Sequence, residues 1–167
     1  DLNFEGNKVV FSMKQSDSDS YHLYWASLAR GENGKFEIHQ LTFGDQDDVQ
    51  PAWLPGDKIA FVTNQGYTDM GLRADEYNHG RQVSQLAFVT VSGGDADRKL
   101  CSQNLSNTVT PFAMKDGRVG FSRWEHLENV NDAKMFAANP DCTQMVALSG
   151  QHGKPSNALV QAVETNE

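Results

Sequence analysis

The chain has 167 residues, a net charge of −8, and 38% hydrophobic and 10% aromatic residues. That length can bury one good core, and no apolar run is long enough to cross a membrane. The acidic balance argues against nucleic acid as a partner and suits basic proteins or cations.

Asp1 opens the chain without a Met and no signal peptide follows, so a processed protein or a piece of a longer one is expected. Phe4-Glu5-Gly6-Asn7-Lys8-Val9-Val10-Phe11-Ser12 then forms a Gly-containing turn followed by a basic, an aliphatic, a small or aliphatic residue and Phe. The same order returns at Pro55-Gly56-Asp57-Lys58-Ile59-Ala60-Phe61 and at Lys115-Asp116-Gly117-Arg118-Val119-Gly120-Phe121. Phe11, Phe61 and Phe121 thus mark a period of 50 to 60 residues, the size of a four-stranded propeller unit. One ring position is predicted to be shared by all three, each largely buried against a neighbouring sheet.

The strands follow in chain order. The first repeat has no strand before Phe4; Lys8 to Met13, Tyr21 to Ala26 and Phe36 to Leu41 are its strands. Pro51 to Trp53, Lys58 to Thr63, Gln85 to Val91 and Arg98 to Ser102 make the second, with Ser92-Gly93-Gly94-Asp95 as a turn. Thr108 to Ala113, Arg118 to Arg123, Lys134 to Ala138 and Gln144 to Leu148 make the third. The expected fold is all-β: a partial β-propeller of about three four-stranded antiparallel blades plus the start of a fourth. The blades span 4–43, 50–103 and 108–149, with a further start at 155–163, in one incomplete domain over 1–167. The stretch 155–163 is equally compatible with a short helix capped by Ser156. Three blades fall short of the four that known propellers typically need.

Leu41-Thr42, the acids Asp47 and Asp48, and Pro51-Ala52-Trp53-Leu54-Pro55-Gly56-Asp57-Lys58-Ile59-Ala60-Phe61 resemble the TolB-type propeller repeat. That repeat usually turns on Asp-Gly; Asp116-Gly117 keeps this order and Gly56-Asp57 reverses it. Asp116-Gly117-Arg118, Arg123-Trp124-Glu125 and Asn139-Pro140-Asp141-Cys142-Thr143 are similar to the propeller of hydrazine synthase alpha-subunit-like proteins. The resemblance implies a large periplasmic or extracellular protein that often carries c-type haem. There is no C-x-x-C-H in the chain, so no cofactor is expected within it, and any haem would sit in a neighbouring domain. The Asp-Arg that normally follows the Arg-Trp-Glu segment is also missing here.

Loop lengths predict one plain face and one elaborated face. Turns such as Pro55-Gly56-Asp57 are short, whereas Lys14 to Ser20, Asn64 to Ser84 and Trp124 to Ala133 are long connections, where function concentrates. Candidate binding residues on that face are Asp45, Asp47, Asp48, Tyr67, Arg73, Tyr77, His79, Arg123, Trp124, Glu125 and His126. The acids could hold a cation or a basic partner, or simply cap turns in water. Asp45-Gln46-Asp47-Asp48 lacks the Gly and Glu of an EF-hand loop. His79 and His126 could reach a metal or a haem held by another domain, although metal-ligand spacing is missing. No G-x-S-x-G, S-x-x-K or P-loop is present, and no catalytic residue is assigned. Cys101 and Cys142 either pair in an oxidising compartment or remain two independent thiols. The expected role is a non-catalytic, protein-binding or assembly scaffold of an extracytoplasmic bacterial protein, acting through its long acidic loops, whose propeller other domains or chains complete. The alternatives are the propeller of a haem redox enzyme or of a propeller-capped peptidase, with the chemistry elsewhere.

Overall fold

A computed structural model describes residues 1–65, 83–101, 107–127, 130–149 and 159–165, with only the backbone for 125–127, 130 and 131. Its described part is all-β apart from a single 3-10 turn, Gly94–Asp97, where a plain turn was expected. Strands β1 (Lys8–Met13), β2 (His22–Ser27) and β3 (Ile38–Gln40) form the first sheet. The second holds β4 (Asp48–Leu54), β5 (Lys58–Thr63), β6 (Gln85–Thr90) and β7 (Lys99–Leu100) in that order. The third runs β8 (Asn107–Ala113), β9 (Val119–Leu127), β10 (Val130–Ala138) and β11 (Val146–Ser149). Every pairing is antiparallel and joins strands consecutive in the chain, an arrangement consistent with a partial β-propeller.

Strand alternation explains why the sheets stack. Lys58-Ile59-Ala60-Phe61-Val62-Thr63 is apolar on both faces because β5 lies inside a sheet covered on both sides. Ile59 and Phe61 turn towards Val10, Leu23 and Leu41 of the first sheet, with Trp53, Ala87 and Val89 in the same cluster. Ala60, Leu86 and Phe88 face the other way, onto Val119, Phe121 and Ala138 of the third. The core is therefore two apolar seams, one on each side of the middle sheet.

The three marker rings hold equivalent places, since Phe11 pairs with Tyr24, Phe61 with Ala87 and Phe121 with Phe136. Phe61 and Phe121 are fully buried, but Phe11 is only half-buried. The expectation of three buried rings fails at Phe11 because its face of the first sheet has no described sheet against it. Phe11 stacks on Tyr24 instead, with ring centroids 6.0 Å apart.

Two strand boundaries differ from expectation. Asp1 to Asn3 do run alongside β1: Leu2 bridges Val9, Asp1 and Val10 exchange backbone bonds, and the Asn3 amide donates to the Lys8 carbonyl. These residues occupy the place that Ala52 to Leu54 hold in the second sheet, so part of an inner strand precedes Phe4 after all. The second difference is Trp124 to Ala133, expected as a loop. The β9–β10 ladder continues past Arg123↔Lys134 through Trp124↔Ala133 to Leu127↔Val130. The stretch reads as a connection in sequence because the expected strands stop at Arg123 and resume at Lys134; paired strands satisfy their backbone groups without needing apolar burial.

Cys101 and Cys142 are bonded, with Cα atoms 5.1 Å apart. The bridge joins the end of β7 to the turn after β10 and so ties the second sheet to the third. Closing a loop of 41 residues contributes about 4 kcal/mol in the chain-entropy account. At the turn before β9, the Arg118 amide and then its guanidinium bond Asp116, holding that carboxyl below the usual range.

Candidate functional site

The acidic stretch from Asp45 to Asp48 leads from the first sheet into β4, and its members divide sharply. Asp45 is exposed. Asp47 accepts a bond from the Tyr21 amide at 2.8 Å, while its own amide donates to Asn64 Oδ1 at 2.8 Å. It fastens two connections together. Asp48 is fully buried, not on the exposed loop surface where sequence placed it. Its carboxylate receives Arg98 Nη1 at 3.0 Å and Nη2 at 2.6 Å, a two-pronged pairing that matches the guanidinium fork.

Arg98 also bonds Asp95 through Nε at 2.8 Å and Gln65 through Nη1 at 2.9 Å, and it lies over the Phe61 ring. Burial alone would lower its pKa, but Asp48 and then Asp95 outweigh that and hold it above the ordinary value. Asp95 in turn accepts the Phe43 amide at 2.6 Å, so the network clamps the first sheet's exit loop to the second sheet. Its acids are consumed by structure, and Asp45 alone of the three is left facing solvent.

A second constellation lies on the inner strands. Gln50, Thr110 and Gln161 have φ of 53°, 52° and 56°, a left-handed conformation that costs an L-residue about 1–2 kcal/mol. Each sits two residues after a backbone bond that crosses between sheets. Asp48 donates to Tyr21 at 2.7 Å, Thr108 to Ser84 at 2.8 Å, and Leu159 to Ala133 at 3.1 Å. In β4 and β8 the left-handed residue coincides with a register shift, as expected of a β-bulge. The bulges are also linked: the Thr110 amide donates to Gln50 Oε1 at 2.7 Å, and the Gln161 amide to Thr110 Oγ1 at 3.3 Å. Ser122 Oγ adds a bond to the Leu159 carbonyl at 2.6 Å. Residues 159–165 thus stand beside the third sheet as β8 stands beside the second, and as β4 stands beside the first.

A cleft of about 400 Å³ opens between β2 and β3 of the first sheet, with the residues that follow them, and the connection Val91 to Ala96 after β6 of the second. Trp25 stacks on His39 at 4.4 Å along one wall, and Gly93, Gly94 and Asp95 form the other. Gly94 must stay without a side chain, because a Cβ there would lie 2.8 Å from the Leu41 carbonyl oxygen and its φ is +52°. Phe43, 55% exposed, flanks the opening.

The remaining sequence candidates scatter. Arg123 lies over the Phe136 ring and reaches Met145 Sδ, packing inside the third sheet. Trp124 is 40% exposed on the β9–β10 arm, with Glu125 and His126 following on the same strand. Tyr67, Arg73, Tyr77 and His79 lie outside the described residues, as do the side chains of Glu125 and His126. The structure gathers Asp47 and Asp48 near one another but joins neither to Arg123 or Trp124. Sequence reading missed Arg98, Asp95 and the bulge series. Only the recurrence of a polar residue two positions into each inner strand could have signalled the latter.

No family model and no curated protein matches the chain. Among solved structures, it is similar to Kuenenia stuttgartiensis hydrazine synthase at 13% identity, with a TM-score of 0.70 over 90% of this chain and 25% of that one. It is also similar to a puromycin-hydrolysing peptidase of Mycobacterium tuberculosis at 12% identity, with a TM-score of 0.59 over 90% of this chain and 21% of that one. A prolyl endopeptidase matches at 15% identity, with a TM-score of 0.56 over 92% of this chain and 22% of that one. The chain spans about a quarter or less of these proteins, and what it shares with them is the fold.

Proposed function

We propose that this chain is a non-catalytic arc of a β-propeller in a larger periplasmic or extracellular protein, serving as a scaffold on which other domains or chains assemble. The observation that carries this reading is the inter-sheet contact repeated from sheet to sheet and then once more onto residues 159–165. Those residues take the inner-strand place of a fourth blade. Apolar side chains are exposed at both ends of the arc: Ile38 at 55% and Phe4 at 65% at one end, Val160 at 50% and Val163 at 77% at the other. Surfaces of that kind suit neighbouring sheets. The disulfide supports an oxidising compartment.

The acidic loops contribute less to this role than sequence suggested, because Asp47 and Asp48 are occupied internally. The test is amide exchange on the mature protein from its natural source, compared with the 167 residues alone. Strong protection of Phe11 to Met13 and of 160–163 in the mature protein is expected. Equally fast exchange at both places in the two samples would contradict the reading.

A second reading has the arc belong to a multi-domain c-type haem enzyme whose haem domain lies outside these residues. It is favoured by the likeness to hydrazine synthase, at the highest TM-score of the three.

A further inference from the structure

The outer corners of the two seams are built differently. Leu41 follows β3 as Cys101 follows β7: the Leu41 amide donates to the Leu23 carbonyl at 2.8 Å, and the Cys101 amide to the Leu86 carbonyl at 2.9 Å. Leu23 and Leu86 are themselves equivalent, since they pair with Ser12 and Val62, the residues after Phe11 and Phe61. At Cys101 the corner is closed by the bond to Cys142 of the third sheet. At Leu41 it is not bonded; Gly94 packs on the Leu41 carbonyl, and the cleft opens beside that contact. Its volume of about 400 Å³ falls within the ordinary range of ligand pockets. Both walls belong to residues 25–43 and 91–96, away from either end of the chain.

The chemistry of the cleft is aromatic and acidic. Phe43 is 55% exposed at the mouth, and its amide donates to Asp95 Oδ2 at 2.6 Å, so ring and carboxylate are neighbours. Asp95 Oδ1 takes both of its Arg98 contacts, which leaves Oδ2 a second acceptor place. Asp97 lies against Gly93 on the same wall. Three acids here, Asp48, Asp95 and Asp97, face two cations: Arg98, and Lys8 over the Trp25 ring. One negative charge is left over. Elsewhere the chain repeatedly sets a guanidinium over a Phe ring: Arg30 over Phe36 at 4.9 Å, Arg98 over Phe61 at 5.4 Å and Arg123 over Phe136 at 5.3 Å. Among the described residues, no cation lies over Phe43.

We propose that this cleft receives an arginine side chain of a partner protein, its guanidinium over Phe43 and its N–H groups on Asp95 Oδ2. The proposal rests on the reading of the arc as a protein-binding scaffold and names what the scaffold holds. Arginine fits better than lysine, because a planar guanidinium stacks on a ring and bonds a carboxylate at the same time. Its methylene stem would run along Val91, where Gly93 and Gly94 leave room by carrying no side chain. The net charge of −8 favours the encounter with a basic surface.

The test is a titration of the 167-residue chain with acetyl-Gly-Arg-Gly-amide, followed by NMR at the Phe43 and Gly94 amides and the Trp25 indole. Saturable shifts at these positions are expected, with binding that weakens as salt is raised. The same peptide with citrulline for arginine, alike in shape but uncharged, should bind about tenfold more weakly. Phe43→Leu keeps apolar bulk and removes the ring, and should weaken binding about twofold to fivefold; Phe43→Trp should bind at least as tightly as the native chain. Phe43 is exposed, and matching circular dichroism checks that both variants fold. Shifts that never saturate, or that scatter over surface acids and miss the cleft, would overturn the proposal. So would equal binding of the citrulline peptide, or undiminished binding by Phe43→Leu. Any of these removes the arginine site alone; the propeller-arc reading is judged separately by exchange in the mature protein.

Discussion

Replacing Phe121 by Ala should destabilise the chain by about 3–5 kcal/mol, the range for deleting a fully buried aromatic side chain. Its ring lies in the seam between the second and third sheets, among Leu54, Ala60, Leu86 and Val119, with no exposed surface. Phe136 stacks on it at 6.0 Å between ring centroids, and that contact is lost as well. Phe11→Ala supplies the internal control, because the same residue type in the same strand position is only half-buried. It should cost less than half as much. Urea or thermal unfolding of the two variants measures the difference, and equal losses would mean that the seams do not carry the stability assigned to them.

Arg98→Met is the second large effect, expected to cost about 3–5 kcal/mol. Asp48 has no exposed surface, and the Arg98 fork is the charge that faces its carboxylate. Removing the guanidinium leaves a buried carboxylate with no opposite charge, and the exit-loop clamp through Asp95 is lost with it. Asp48→Leu combined with Arg98→Met should recover much of the loss, since a buried ion pair adds little over well-packed apolar residues. A double variant that is less stable than Arg98→Met alone would show that the pair is worth more than its shape.

Much of the fold was legible because it is carried by local pattern. The Gly turn, basic residue and Phe recur three times, and each recurrence marks a hairpin: Lys8–Met13, Lys58–Thr63 and Val119–Leu127 begin within a residue of expectation. Hairpin partners are also near in sequence, so their antiparallel pairing could be foreseen. The candidate site was much less legible. Whether Asp48 is a surface acid or a buried one depends on Arg98, 50 residues away, and nothing in Asp45-Gln46-Asp47-Asp48 separates Asp48 from its neighbours. Trp124 to Ala133 reads as a connection in sequence because the flanking strands are expected to stop at Arg123 and resume at Lys134, whereas the β9–β10 ladder runs on as far as Leu127↔Val130. The disulfide was left open for a related reason: Cys101 and Cys142 meet only once two sheets have stacked.

The left-handed residues Gln50, Thr110 and Gln161 were invisible for a different reason. Glycine normally announces such a conformation, and none of the three is Gly. Their strain is offset by specific bonds. Gln50 and Thr110 each accept the amide of the next bulge residue, a contact worth about 1 kcal/mol. The series couples neighbouring sheets near their inner strands and reaches past β8 to 161. That continuation is what supports the proposal that the arc belongs to a longer repeating structure, with 159–165 an ordered continuation of the series and not a loose tail.

Residue-resolved amide exchange on the 167-residue chain by NMR tests that claim most directly. The account predicts that the Leu159 and Gln161 amides, bonded to Ala133 and Thr110, exchange far more slowly than the Val160 amide between them. Uniformly fast exchange across 159–165, at the rate of an unstructured peptide, would contradict it.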